Sequence, residues 1–122
     1  MAPPPQDRRR RTGPPIVTML VQLLAVPNCP HAEPAAAVLR GALDEAGLND
    51  VPVTTLIIDT QDEADRIGFI GSPTILIDGR DPFPDSGQEP ALACRLYRHP
   101  AGLSGIPPID PIRQALHDAV LR

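Results

Sequence analysis

The chain has 122 residues, carries a formal net charge of −4, contains no lysine, and only 2% of its residues are aromatic. This length fits one domain of ordinary size, which can bury a core without disulfide bonds or metal ions. The absence of lysine excludes Schiff-base chemistry and a phosphate-loop lysine. The scarcity of aromatic rings leaves almost nothing for nucleic acid binding by base stacking.

The charge is unevenly distributed along the chain. Residues 1–15 carry +3, which leaves −7 for the rest, because the whole chain carries −4. We predict a disordered Pro/Arg-rich tail over residues 1–15 and one domain over residues 16–122. An acidic domain repels nucleic acids and anionic membranes, so neither is an expected partner.

The cysteine content and the first apolar stretch bear on localisation. Two cysteines in a domain that needs no disulfide indicate a reducing compartment. The apolar stretch Ile16 to Val26 follows four arginines, but Gln22 interrupts it and no small-residue cleavage site follows. It is also too short to span a bilayer. We therefore expect a buried strand and a cytoplasmic protein.

The first two predicted elements are a central strand and a helix. Ile16–Ala25 is an almost continuous apolar run, which is typical of a strand covered on both faces. Apolar residues then recur at helical spacing over residues 30–46. Pro30 suits the first helical position, and Gly47 suits the end of the helix.

A second strand and a short helix follow. The pattern predicts a strand over Val51–Asp59, with Pro52 near its start, where an edge strand tolerates proline. Thr60 and Glu63 have the spacing of a capping box, and a short helix should extend to about Ile67.

The last elements complete a mixed sheet. A third strand is predicted over Thr74–Ile77, and the turn pair Asp78-Gly79 should make a fourth strand, Ala93–Arg98, antiparallel to it. Asp110 should cap a final helix. The order is β-α-β-α-β-β-α, an α/β fold in which right-handed crossovers make the first two strands parallel. We expect a four-stranded mixed sheet flanked by helices.

The chemistry is expected at Cys29, which follows the first strand. A thiol just before a helix faces unpaired backbone N–H groups and the positive end of the helix dipole, and both favour the thiolate. Pro30 is compatible with the first turn, and a protonated His31 would add positive charge beside the sulfur. The alternative is an inert, buried cysteine at a strand end.

A second motif, Gly71-Ser72-Pro73-Thr74, opens the third strand. Cis bonds form only about 5–6% of X–Pro bonds, so frequency alone favours a trans Pro73. Together with Cys-Pro-His and this element order, however, Ser-Pro-Thr resembles the thioredoxin superfamily over residues 16 to 121. The stretch Gly71 to Phe83 is further similar to small actinobacterial thioredoxin-like "DF family" (seleno)proteins, which are often labelled as related to alkylmercury lyase.

The resemblance implies a thioredoxin-like fold and a role for each motif. Cys29 takes the position of the attacking thiol, Pro73 that of the cis-proline, and the backbone of Ser72 would be free to pair with an extended substrate. The family's second cysteine falls on Ala32, which cannot resolve a mixed disulfide, so a monothiol mechanism is implied. Asn28 stands where thioredoxins carry tryptophan. No cofactor is implied.

Cys94 is the other thiol of the chain. As the opening of an antiparallel fourth strand, it would lie a strand length away from Cys29, too far for a native disulfide. A small apolar residue in a strand is the simpler interpretation. The alkylmercury-lyase label of the similar proteins involves two-thiol organomercurial chemistry. A role for Cys94 as a resolving thiol or as a second metal ligand therefore remains an alternative.

The remaining candidate side chains have simpler explanations. Both histidines, at positions 99 and 117, fit surface positions, and the aspartate at position 59 fits the turn before the short helix. The acidic loop with aspartates at positions 78, 81 and 85 lacks the spacing of a calcium loop and should be solvated. These residues are His99, His117, Asp59, Asp78, Asp81 and Asp85.

Three functions are consistent with the sequence. The first is a monothiol redox protein in which Cys29 attacks a protein disulfide or a low-molecular-weight thiol adduct. The second is a soft-metal or organomercurial site that uses Cys29 with Cys94 or His31. The third is a non-catalytic binding module that holds a peptide with its proline loop.

Overall fold

The computed structural model describes residues 19–83 and 89–121. The predicted tail and the first three residues of the predicted first strand lie outside the described residues. The described elements are β1 Val21–Ala25, α1 Ala32–Glu45, β2 Val53–Ile57, α2 Gln61–Ile67, β3 Thr74–Ile77, β4 Tyr97–His99, β5 Gly102–Ser104 and α3 Ile109–Leu121.

A three-stranded mixed sheet in the order β2-β1-β3 organises the fold. β1 is parallel to β2, with Leu23 opposite Thr55, and antiparallel to β3, with Leu24 opposite Thr74. The predicted parallel pair, and the edge position of the second strand, are confirmed. β1 is central because its apolar side chains can be buried on both faces of the sheet.

One face of the sheet is covered by α1 and α3. The apolar stripe of α1 buries Ala35, Leu39, Ala42 and Leu43, at the helical spacing seen in the sequence. α3 packs into the same cluster through Ile112, Leu116 and Ala119. α3 begins at Ile109, so Asp110 lies inside its first turn rather than at the predicted cap position.

The other face is covered by α2 and the residues around it. Thr60 caps α2, because its side-chain oxygen accepts a hydrogen bond from the Glu63 N–H at 3.1 Å. Ala64 and Phe69 pack against Leu24 in a second, smaller apolar cluster. The Thr60 half of the predicted capping box is confirmed.

The predicted fourth strand does not extend this sheet within the described residues. The Asp78-Gly79 turn forms and brings Arg80 opposite Ile77, but the pairing stops at that single bridge. Pro82 follows two residues later and has no N–H to donate to a ladder. Within the predicted range 93–98, only residues 97 and 98 are in a strand, as part of β4. This strand pairs antiparallel with β5 in a separate two-stranded sheet.

None of the helices in residues 19–83 and 89–121 combines the length and the apolar character that crossing a bilayer requires.

Removing the Thr60 cap should weaken α2. Thr60→Ala leaves the Glu63 N–H without its acceptor, and we expect the free energy of unfolding to fall by about 1 kcal/mol. Urea denaturation followed by circular dichroism measures the change. Thr60→Ser keeps the oxygen and is the matched control. An alanine variant as stable as the serine variant would contradict the capping role.

Candidate functional site

Cys29 lies in the turn that connects β1 to α1. The chain leaves β1 at Ala25, and Asn28 takes the left-handed conformation with φ 61°. The Ala32 N–H donates to the Cys29 carbonyl oxygen at 3.3 Å, which closes a turn before the helix. The Cys29 side chain is a free thiol and the residue is half-buried. The thiol is therefore neither sealed in the core nor fully exposed.

The helix begins two residues later than the sequence predicted. His31 is the N-cap of α1 and makes no side-chain capping bond, and the first i to i+4 bond runs from the Ala35 N–H to the His31 carbonyl. Pro30 therefore lies in the preceding turn, and its assignment to the first helical position is wrong. The tight turn between Cys29 and Ala32 delays the α-helical pattern.

An open groove of about 320 Å³ lies beside Cys29. It runs between the first turns of α1 and the edge strand β2, and Leu23 of β1 is among the residues that line it. Glu33 is the charged residue among those that line the groove. They are Leu23, Val26, Asn28, Cys29, Ala32, Glu33, Ala36, Thr55 and Ile57.

The proline loop lies on the other side of β1. The Ser72–Pro73 peptide bond is cis, as the family resemblance implied. Ser72 is fully buried, and its hydroxyl oxygen accepts a hydrogen bond from the Val26 N–H at 3.1 Å. Val26 precedes Cys29 by three residues. The structure thus brings the two predicted motifs to the same end of the sheet.

The backbone of Ser72 is not free, which corrects the expectation that it could pair with a substrate. Its N–H donates to the Ala93 carbonyl at 2.8 Å, and its carbonyl accepts from the Arg95 N–H at 2.9 Å. Ser72 and Cys94 thereby form a parallel bridge. A segment of the chain's own backbone occupies the position that the resemblance assigns to a peptide.

Gly71 allows this close approach of the two segments. A Cβ atom at Gly71 would lie 2.9 Å from the Arg95 Cβ and 3.3 Å from its Cα. Gly71 also has a φ of +146°, which side-chain-bearing residues rarely adopt. Only glycine meets both conditions at this position.

Cys94 is exposed and lies near the Cys29 end of the sheet, not at the opposite end. It pairs in parallel with Ser72, whereas the prediction assumed an antiparallel strand that began at the far end. Ser72 lies between Cys94 and Val26, because it pairs with Cys94 through its backbone and accepts a hydrogen bond from the Val26 N–H with its hydroxyl. Cys29 and Cys94 are both free thiols.

His31 packs against the loop between β5 and α3. Gly105 is buried, and a Cβ atom built on it would lie 2.4 Å from the His31 Cδ2 and 2.5 Å from its Nε2. His31 does not appear among the residues that line the groove. The imidazole therefore rests on the Gly105 backbone and supports the turn that carries Cys29.

Arg95 fixes the segment that covers the proline loop. It was not identified from the sequence as a residue of the site. Its side chain is nearly fully buried, and its guanidinium donates to Asp81 at 2.7 Å, to the Thr74 hydroxyl at 3.2 Å and to the Phe83 carbonyl at 2.6 Å. Asp81 is therefore paired, which corrects its assignment to a solvated loop. The sequence signal for a buried, paired arginine was Arg95 within an apolar stretch. The acidic loop that contains Asp81 offered a carboxylate to pair with it.

Tyr97 connects Arg95 to the proline itself. The Arg95 guanidinium lies 4.7 Å from the Tyr97 ring centroid, a cation–π geometry. The Tyr97 hydroxyl donates to the Pro73 carbonyl. Burial raises the pKa of Tyr97 well above its ordinary value, so the phenol remains a hydrogen-bond donor at any physiological pH.

The other candidates do not line the groove beside Cys29. His99 is half-buried and its Nε2 lies 2.6 Å from the Ile106 carbonyl, so it is not a plain surface histidine. His117 is exposed on α3, and Asp59 is exposed after β2. Within residues 19–83 and 89–121, no group of three or more His, Cys, Asp or Glu side chains is placed to hold a metal ion.

No protein-family model matches the chain, and comparisons with curated proteins and with solved structures give no match either.

Removing the Arg95 side chain should destabilise the protein strongly. Arg95→Met leaves the Asp81 carboxylate without its partner, and we expect a loss of about 3 kcal/mol in the free energy of unfolding. The exposed Arg98→Met is the matched control and should change stability by less than about 0.5 kcal/mol. Equal effects of the two substitutions in chemical denaturation would contradict the role of Arg95.

Adding a methyl group at Gly105 should act through His31. Gly105→Ala should lower the free energy of unfolding by about 1–3 kcal/mol, because the new Cβ overlaps the imidazole. His31→Ala removes the overlapping ring, so the double variant should recover about 1 kcal/mol or more of coupling energy. Gly41→Ala, which meets nothing within 4 Å, is the control. Additive losses in the double-mutant cycle would contradict the contact.

Proposed function

We propose that this protein is a thioredoxin-like thiol–disulfide exchange protein that acts through one nucleophilic thiol, Cys29. One observation carries the proposal. A cis-proline loop is hydrogen-bonded, through Ser72 and Val26, to the same connection that carries the half-buried Cys29. A cysteine after a central strand and a cis-proline before the adjacent antiparallel strand are the two features that the thioredoxin superfamily combines.

The order of the strands supports the same proposal. In the sheet β2-β1-β3, the first two strands are parallel and the third is antiparallel to the first. A cysteine at the end of the central strand then lies at the edge where that strand passes into a helix. Beside β3, where a thioredoxin-like sheet would have its fourth strand, the described residues form two isolated bridges, Ser72 with Cys94 and Ile77 with Arg80.

The proposed reaction is an exchange and needs no cofactor. The Cys29 thiolate attacks one sulfur of a disulfide, a Cys29–substrate disulfide forms, and the second substrate sulfur leaves as a thiolate that takes a proton from water. A low-molecular-weight thiol then attacks the mixed disulfide, which releases Cys29 and leaves the small thiol joined to the substrate. Electrons balance, because one disulfide is exchanged for another.

The residues around Cys29 fit this sequence of steps. Ala32, where the family carries its second cysteine, has no sulfur and lines the groove, so it leaves room for an incoming small thiol. His31, the N-cap of α1, makes no side-chain capping bond, so the backbone N–H groups of the first turn are not taken up by it. Exchange with a small thiol fits a reducing compartment such as the cytoplasm.

Replacing each cysteine separately tests the proposal. With 2-hydroxyethyl disulfide and a small thiol as substrates, Cys29→Ser should reduce exchange to the rate that the thiol reaches without protein. Cys94→Ser, the matched control, should retain most of the activity, because its sulfur is outside the groove. Mass spectrometry of the intact protein should detect the mixed disulfide at Cys29. Exchange that survives in Cys29→Ser, or that disappears in Cys94→Ser, would contradict the monothiol proposal.

A further inference from the structure

The side of Cys29 that faces β3 is closed to an extended substrate. The N–H and carbonyl of Ser72 both bond to the segment Ala93–Arg95. Arg95 anchors that segment in the interior, so the segment cannot be displaced without separating the buried guanidinium from the Asp81 carboxylate. A substrate that pairs through its backbone must therefore approach Cys29 from another direction.

The side that faces β2 is open. β2 is an edge strand, and no strand of the described part of the chain lies beside its outer edge. Residues 54–57 are all exposed, including Leu56 at 39% and Ile57 at 50%. The strand contains no charge and no proline, the features with which proteins usually block an edge. An extended peptide can add to such an edge through its backbone groups.

The groove connects this edge to the thiol. Thr55 and Ile57 of β2 lie along one wall, Ala32 and Ala36 of α1 lie along the other, and Cys29 lies at its end. The walls are small or apolar, so the groove can accept uncharged side chains of a peptide that runs along β2.

The charges around the groove select the peptide. Glu33 is the charged residue of the lining, and Asp59 is exposed two residues beyond Ile57. The arginines of the flanking helices are engaged elsewhere, because Arg40 bonds to the Val51 carbonyl and Arg66 pairs with Glu63. The groove therefore complements a basic peptide. A second copy of β2 carries no basic residue, so it offers no complementary charge to Glu33 and Asp59.

We propose that the substrate of Cys29 is a basic, extended peptide segment that contains a disulfide, and that it binds along the outer edge of β2. This inference rests on the proposed function. The peptide backbone pairs with β2, its basic side chain faces Glu33, and one of its sulfurs meets the Cys29 thiolate, which displaces the other as described above.

Kinetics with two peptides and two matched variants test the inference. The peptides carry one cysteine, joined to 2-mercaptoethanol as a disulfide, and are flanked either by arginines or by glutamates. Ile57→Arg places a bulky cation in the groove, whereas Leu56→Arg places the same side chain on the opposite face of the strand. For the arginine peptide, Ile57→Arg should raise KM about tenfold, which corresponds to about 1.4 kcal/mol. Leu56→Arg should leave KM unchanged.

The small disulfide separates this inference from the proposed function. Leu56→Arg should leave exchange with 2-hydroxyethyl disulfide unchanged, because this substrate needs the thiol but not the edge. Loss of that activity in Cys29→Ser supports the proposed function whatever the peptides do. An unchanged KM in Ile57→Arg, an equal rise in both variants, or preference for the glutamate peptide would overturn the inference.

A binding experiment without chemistry tests the location directly. An arginine peptide with serine in place of cysteine should slow amide hydrogen exchange in residues 53–57 when added to the full chain. Slowed exchange at Ser72 instead would place the peptide on the proline loop and overturn the inference. Residues 53–57 could also be protected from exchange without peptide and lose this protection when the protein is diluted. That result would assign the edge to a second copy of the chain and would overturn the inference as well.

Discussion

The buried guanidinium of Arg95 determines how the site is built. An arginine can be buried only where its charge is paired and its N–H groups are satisfied, and Asp81, the Thr74 hydroxyl and the Phe83 carbonyl provide those partners. Two segments of the chain, the start of β3 and the loop over residues 81–83, thereby converge on one side chain. The backbone that carries Arg95 must then pass beside Ser72, at a distance that only glycine at position 71 permits.

This constraint makes the two sides of Cys29 unequal. On the β3 side, the cis-proline loop is covered by Ala93–Arg95, and the Tyr97 hydroxyl bonds to the proline carbonyl. On the β2 side, the strand edge and the groove stay open. The proline loop therefore supports the turn that holds the thiol, while access to the thiol is left to the other edge of the sheet.

Local sequence signals predicted the elements that depend on neighbouring residues. The apolar stripe of α1, the Thr60 cap and the Asp78-Gly79 turn all follow from spacing within a few residues, and the structure contains each of them. The start of α1 was placed two residues too early, because a proline that suits a first turn also suits the turn before a helix.

What could not be predicted depends on contacts between distant segments. The predicted fourth strand was inferred from the short turn at Asp78-Gly79, but Pro82 stops that pairing and Arg95 brings its segment back in parallel. For the same reason, Cys94 lies beside Ser72 and not at the far end of the sheet, where the sequence predicted it. The contact between His31 and Gly105 likewise joins residues far apart in sequence, and no local pattern indicates it.

Native-state hydrogen exchange of two amides tests the central claim most directly. If Ala93–Arg95 is held on the proline loop by the buried Arg95, the Ser72 and Arg95 amides should exchange only through global unfolding, as slowly as the amides at the centre of β1. Exchange of these two amides at rates close to those of an unstructured peptide, while β1 stays protected, would show that the segment opens freely and would contradict the account.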